Sequence, residues 1–162
     1  MKLIFQQGGW LILASFIAGL MLTIIPLPDV LQYIRPEWSA LILLYWCMAL
    51  PQRIGVGVGW VTGLFLDVLK GTLLGQHALG LAVLAYLTLQ LHQRIRVYPL
   101  WQQALTVLIL LNLYQLLLIW FDGITGQPSK DFTYWLPPLT GMLIWPWVFL
   151  FLRHMRRRHK VR

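Results

Sequence analysis

The sequence predicts an all-α integral membrane protein, a bundle of about six transmembrane helices with both termini cytoplasmic. Composition is the first reason. Of 162 residues, 59% are hydrophobic and 11% are charged, whereas a soluble domain covers its surface with about 25% charged residues. The second reason is arrangement, because the apolar residues fall into six separate runs. The third is the sidedness of the charge that separates those runs. Mean hydropathy is +0.69, and the nine tryptophans suit a chain with two membrane interfaces to occupy.

The first run covers 10–25. It follows Lys2 and the polar Gln6-Gln7-Gly8-Gly9, and no small-x-small cleavage site comes after it, only Pro26-Leu27-Pro28-Asp29. It is read as an uncleaved span that also targets the membrane. The second run, 38–50, has 13 residues before Pro51. That is about 20 Å of helix, where a full span takes about 20 residues. An earlier start, a tilt and a re-entrant hairpin all stay open for this segment. The tight turn Pro51-Gln52-Arg53 joins it to the third run, 54–69. The remaining runs are 73–91, 100–121 and 134–152. Residues 1–152 therefore form one polytopic domain, and 153–162 form a basic cytoplasmic tail.

Six spans put Lys2, Arg53, Arg94, Arg96, Arg153, Arg156, Arg157, Arg158, Lys160 and Arg162 on one side, against Arg35, Lys70 and Lys130 on the other. All five acids, Asp29, Glu37, Asp67, Asp122 and Asp131, fall toward the basic-poor side. The positive-inside rule places the basic side, with both termini, in the cytoplasm. Merging 38–69 into one span would leave the six-cation tail outside, so that topology is rejected. The net charge of +8 belongs largely to the juxtamembrane tail, which sets topology and touches anionic lipid. It does not indicate nucleic acid.

Between residues 55 and 75 every fourth residue is glycine, except one aspartate: Gly55, Gly59, Gly63, Asp67, Gly71 and Gly75. Four residues turn a helix by about 400°, so neighbouring rungs share a face. Gly55, Gly59 and Gly63 make two overlapping small-xxx-small motifs, which favour close helix contact with a neighbour in this chain or another. Gly71 and Gly75 shape the loop into the next span. Asp67 stands in the last turn, where the helix dipole disfavours a carboxylate. It is read either as an interfacial pair with Lys70 or as a carboxylate that ties the loop 70–76 or accepts a donor from a partner. A proton or ion relay is disfavoured, because no second carboxylate lies mid-span.

Asn112 and Gln115 share a face of the fifth span and are expected to hydrogen-bond to neighbouring helices. Gln102 and Gln103, at its start, are expected to be solvated, and Asp122 is expected to be an ordinary cap or solvated residue. Cys47, the single cysteine, is a packing residue. The three serines stand beside no candidate base, no histidine pair has metal spacing inside a span, and no phosphate loop or carboxylate pair occurs. No catalytic, cofactor-binding or metal-binding residues are expected, and an enzyme is disfavoured.

Several segments together resemble one family. They are Arg35-Pro36-Glu37-Trp38, Leu41-Ile42-Leu43-Leu44-Tyr45-Trp46, Ala49-Leu50-Pro51-Gln52-Arg53, the spacing Gly59-x3-Gly63-x3-Asp67-x3-Gly71-x3-Gly75, Leu100-Trp101-Gln102-Gln103-Ala104-Leu105, and Trp145-Pro146-Trp147 before the basic tail. These resemble MreD, the rod shape-determining membrane protein, nearly end to end. The resemblance implies a non-catalytic, multi-pass inner-membrane scaffold of the peptidoglycan-synthesising elongation machinery (the elongasome). Its implied partner is MreC, with RodA, a class B penicillin-binding protein and the actin-like MreB as direct or indirect partners. A homodimer stays open, as does a second function. The family is also similar to the six-helix substrate-binding subunits of vitamin transporters, a likeness that calls for a polar-lined cavity open to the outside. The glycine ladder and the loop 67–75 are the expected MreC contact.

Overall fold

The computed structural model describes residues 8–128 and 131–161, so Lys2, Lys130 and Arg162 lie outside the described residues. Among the described residues every regular element is helical. The described residues form seven α-helices: α1 (Gly9–Ile24), α2 (Asp29–Gln32), α3 (Trp38–Ala49), α4 (Val56–Lys70), α5 (Gln76–Val97), α6 (Leu100–Ile124) and α7 (Leu136–Arg158). A 3-10 turn, Phe132–Trp135, leads into α7.

The short second apolar run becomes α3, and its surroundings account for its composition. Every residue from Ser39 to Met48 is buried. A helix apolar all round is one enclosed on all sides. Helices α1, α5 and α7 pack against α3, and α4 reaches it where Gly59 meets Leu43. One polar link joins α3 to α1: the Trp46 indole N–H donates to Ser15 Oγ at 2.8 Å, and Ser15 Oγ is itself held on α1 by donating to the Ile12 carbonyl at 2.7 Å. Cys47 is fully buried in this core.

The outer helices bury one stripe each. In α4 the buried residues are Gly59, Thr62, Gly63, Leu66 and Asp67. In α6 they are Gln103, Ala104, Val107, Leu110, Leu111, Tyr114, Gln115 and Leu118. Both follow the i, i+3, i+4, i+7 pattern of a helix with one covered face. Two helical stretches are long and apolar enough to cross a membrane, Leu100–Ile124 and Phe132–Arg158. Only 39% and 22% of their most apolar windows are buried, so neither is the enclosed core helix of a soluble protein.

Contacts at the helix ends gather into two groups. At one end Val161 lies against Gly8, the Trp10 and His159 rings meet edge to face at 5.0 Å, and Arg156 donates to the Ala49 carbonyl at 3.5 Å. At the other end Arg35 caps α1 by donating to the Thr23 and Ile25 carbonyls, Lys70 pairs with Glu37 at 3.5 Å, and Gln76 Nε2 donates to Asp122 Oδ1 at 2.9 Å. The six long helices therefore alternate in direction. The first end is basic and the second carries the acids.

The elements overrun the apolar segments. Helix α5 continues from the expected end at 91 to Val97, and α7 continues from 152 to Arg158. Arginine and glutamine are good helix formers, so hydropathy stops at the charges while the backbone does not. Three polar expectations change. Gln103 is buried, not solvated, and its amide closes the end of α5 by donating to the Ile95 carbonyl at 3.0 Å. Asn112 bonds its own helix at the Leu108 carbonyl, whereas Gln115 does reach a neighbouring element, the Tyr134 carbonyl at 2.8 Å. Asp122 is half-buried and holds Gln76.

Candidate functional site

Helices α4 and α5 make the most extensive contact in the molecule, and glycine permits it. A Cβ at Gly63 would fall onto the backbone of His77 and Ala78, and one at Gly59 would come within 2.8 Å of the Leu81 carbonyl. These two rungs of the ladder are covered by α5 of the same chain. Of the two neighbours left open for this face, one in this chain and one in another, the one that lies on Gly59 and Gly63 is in this chain. Gly55 leaves the stripe altogether. It is the extended N-cap of α4, and nothing lies within 4 Å of where its Cβ would be.

The next position on the stripe is Asp67, 1% exposed. Just past it the chain must reverse. Gly71 ends α4 in the left-handed region at φ +67°, and the Thr72 N–H returns to the Asp67 carbonyl at 3.1 Å, an arrangement glycine allows without a Cβ penalty. Gly75 turns the chain again at φ +104° and starts α5. The carboxylate of Asp67 thereby faces the opening turn of α5. Its Oδ1 accepts from Thr72 Oγ1 at 2.8 Å, the His77 N–H at 2.9 Å and His77 Nδ1 at 2.7 Å. Its Oδ2 accepts from the Gly75 N–H at 2.9 Å and, more weakly, from the Ala78 N–H at 3.4 Å. An ionised carboxylate only accepts, so the His77 proton is assigned to Nδ1.

This geometry resolves the electrostatic puzzle of Asp67. The C-terminus of its own helix repels a carboxylate, but the N-terminus of α5 points its free N–H groups at it, and that end carries partial positive charge. The loop-tying reading of Asp67 fits these contacts. The alternative pair with Lys70 does not, because Lys70 turns to Glu37. Sequence reasoning passed over His77, which sits ten residues further on. The signal was present: a glycine at 75, then the start of an apolar helix whose first N–H groups need an acceptor.

Chemically, Asp67 is saturated. Both oxygens are occupied by donors of the same chain, in a buried setting where such bonds are strong and an unpaired partner is costly. The arrangement is a clamp that locks the α4–α5 hairpin. Among the described residues no group of three His, Cys, Asp or Glu side chains stands close enough to hold a metal.

Two cavities lie elsewhere. One of about 590 Å³ opens at the acidic end, bordered by Arg35, Glu37, Lys70, Gln115, Asp131 and Tyr134 among others. A smaller one, about 160 Å³, lies at the basic end.

A family model described as rod shape-determining protein MreD matches residues 5–155 of the chain. The rod shape-determining protein MreD of Haemophilus influenzae is 34% identical over 153 residues, which cover 93% of this chain and 93% of that protein. No solved structure matches.

Proposed function

Because the chain belongs to the MreD family, which supports a role in rod-shape determination, we propose that it is a non-catalytic scaffold of the bacterial inner membrane that binds MreC within the elongation machinery. The observation that carries the scaffold reading is the saturation of Asp67. The one carboxylate in the α4–α5 contact is spent on five donors of its own chain, so it stiffens a surface and offers no free lone pair to a substrate or a travelling proton.

In this reading all six long helices cross the membrane, with the basic end and both termini in the cytoplasm. Helix α3 crosses as an inner helix, shielded from lipid. RodA, a class B penicillin-binding protein and MreB join the assembly directly or through MreC. With Gly59 and Gly63 covered, the proposed MreC contact moves to the outer face of α4, where Trp60, Val61, Phe65 and Val68 are exposed and Gly57 leaves open space.

Cysteine cross-linking in native membranes tests this. The native Cys47 is fully buried and gives little background. Val61→Cys and Phe65→Cys are expected to cross-link to MreC, and Ile109→Cys, exposed on α6, is not. Absence of cross-links from α4 in protein inserted at wild-type levels would remove this interface.

The cavity at the acidic end favours a second reading, a small-molecule-binding subunit similar to those of vitamin transporters. Its volume lies in the range of ligand sites, and its border sets Arg35, Glu37, Lys70 and Gln115 beside Ile24, Ile25 and Pro137. Mass spectrometry of the purified protein decides: a stoichiometric small-molecule ligand would displace the scaffold reading.

A further inference from the structure

The basic end holds a feature that the scaffold reading does not use. The cavity of about 160 Å³ is bordered by Tyr45, Arg96, Gln103, Arg153 and Arg156, with Phe149 on its wall. Four helices supply these residues: α3, α5, α6 and α7. None of the five acidic side chains of the chain is among them. Three guanidinium groups therefore converge without a carboxylate to balance them. Arg156 spends one donor on the Ala49 carbonyl, and Arg153 lies over the Phe149 ring at 6.0 Å. Each guanidinium has five donors, so donors remain beyond these two contacts.

Two buried polar atoms point the same way. Tyr45 is 2% exposed and Gln103 is 3% exposed, yet Tyr45 Oη and Gln103 Oε1 have no hydrogen-bond partner. Buried polar atoms are ordinarily paired. The orientation of the Gln103 amide is fixed, because its nitrogen faces two carbonyls, Ile95 and Tyr98, and only a donor satisfies both. The oxygen must then accept from elsewhere. A ligand that matches these groups offers anionic oxygens to three arginines and to a phenol O–H, and a hydroxyl to an amide oxygen. It fits a space of about five water molecules.

We propose that this cavity binds the phosphate group of an anionic phospholipid whose headgroup carries a hydroxyl, held by Arg96, Arg153 and Arg156 and by the Tyr45 hydroxyl, with Gln103 Oε1 accepting from the headgroup. Planar guanidinium forks match phosphate geometry, and basic pockets between helices at a cytoplasmic face suit such headgroups. The site differs from general attraction by the tail, because Arg157 and Arg158 do not border the cavity.

The full chain, purified in detergent at about 0.15 M salt so that exposed charges are screened, is titrated with phosphatidylglycerol, phosphatidylcholine or inorganic phosphate. Native mass spectrometry and thermal unfolding provide the readouts. Phosphatidylglycerol is expected to bind one to one and to raise the melting temperature, and phosphatidylcholine is not. Arg96→Gln and Arg153→Gln each remove charge-assisted bonds and weaken binding by about tenfold, while Arg158→Gln changes it by about twofold or less. Tyr45→Phe, nearly isosteric, weakens binding while keeping the lipid-free melting temperature, which separates a binding defect from misfolding. Inorganic phosphate giving the same arginine-dependent shift would retain the site and assign it a soluble anion. Equal binding of the two lipids with no phosphate effect, or equal loss from Arg158→Gln and Arg153→Gln, would overturn the proposal. None of these readouts involves MreC, so the scaffold reading stands or falls separately.

Discussion

Replacing Asp67 by asparagine keeps the shape of the side chain and removes its charge. Four donors lie within 2.9 Å of the two oxygens, three at Oδ1 and one at Oδ2. The amide nitrogen must take one of the two positions, and the cheaper is Oδ2, facing the Gly75 N–H. That bond and the longer one from the Ala78 N–H are lost, and leaving the buried Gly75 donor unpaired costs about 1–3 kcal/mol. The three bonds at Oδ1 survive but change from charged to neutral acceptor, a loss of about 1 kcal/mol each. Allowing for relaxation, the total is about 4 kcal/mol, or a fall of about 10 °C in melting temperature for a chain of this size. Asp122→Asn is the control. It is half-buried, and an asparagine oxygen there still accepts from Gln76 Nε2, so about 1 kcal/mol or less is expected. Both variants are melted in the same detergent and scored for rod-shape complementation, and Asp67→Asn is expected to be the weaker in both assays. A melting temperature within about 2 °C of wild type, with normal rods, would refute the clamp.

Gly63→Ala forces α4 and α5 apart at the His77–Ala78 backbone and should cost about 3 kcal/mol or more, whereas Gly57→Ala, with nothing within 4 Å, should be neutral or stabilise by about 0.5 kcal/mol; similar melting temperatures for the two would contradict the close approach. Lys70→Gln breaks a pair at 3.5 Å whose side chains are 29% and 18% exposed, so a loss of about 1 kcal/mol or less, shrinking further in high salt, is expected from thermal unfolding.

The apolar runs located the six long helices because membrane and core both select for hydropathy, and the starts at Trp38 and Leu100 were legible to the residue. The run lengths were less legible. Hydropathy marks where side chains change solvent, while the i to i−4 ladder of α5 and α7 carries on through Arg94, Arg96 and Arg153. Small helix α2 left no periodic trace in four residues. The face of α4 was half legible. The spacing of Gly59, Gly63 and Asp67 gave one stripe, but spacing does not say which helix covers it. For Asp67 two readings stood side by side, a pair with Lys70, the neighbour that a helix brings close, and a tie to the loop 70–76. Thr72 and Gly75 of that loop do donate to it, but His77 and Ala78 lie just past the loop, whose path depends on two left-handed glycines. Asp122 was missed because its partner, Gln76, lies 46 residues away and only the packed bundle brings it near, and Gln103 because its partners, Ile95 and Tyr98, lie across the turn before its own helix.

Helix α3 has twelve residues, about 18 Å of length, and the longest helix packed against it, α7, has twenty-three, about 35 Å. A plug shorter than its sleeve leaves a recess at each mouth. Both cavities sit at those recesses: Pro36 and Glu37, just before α3, border the larger, and Tyr45, Met48 and Ala49, at its last turn, border the smaller. The brevity that made 38–50 doubtful as a span thus hollows the molecule at opposite ends. One added turn of α3 at either terminus would fill a recess from within, leaving the outer helices in place.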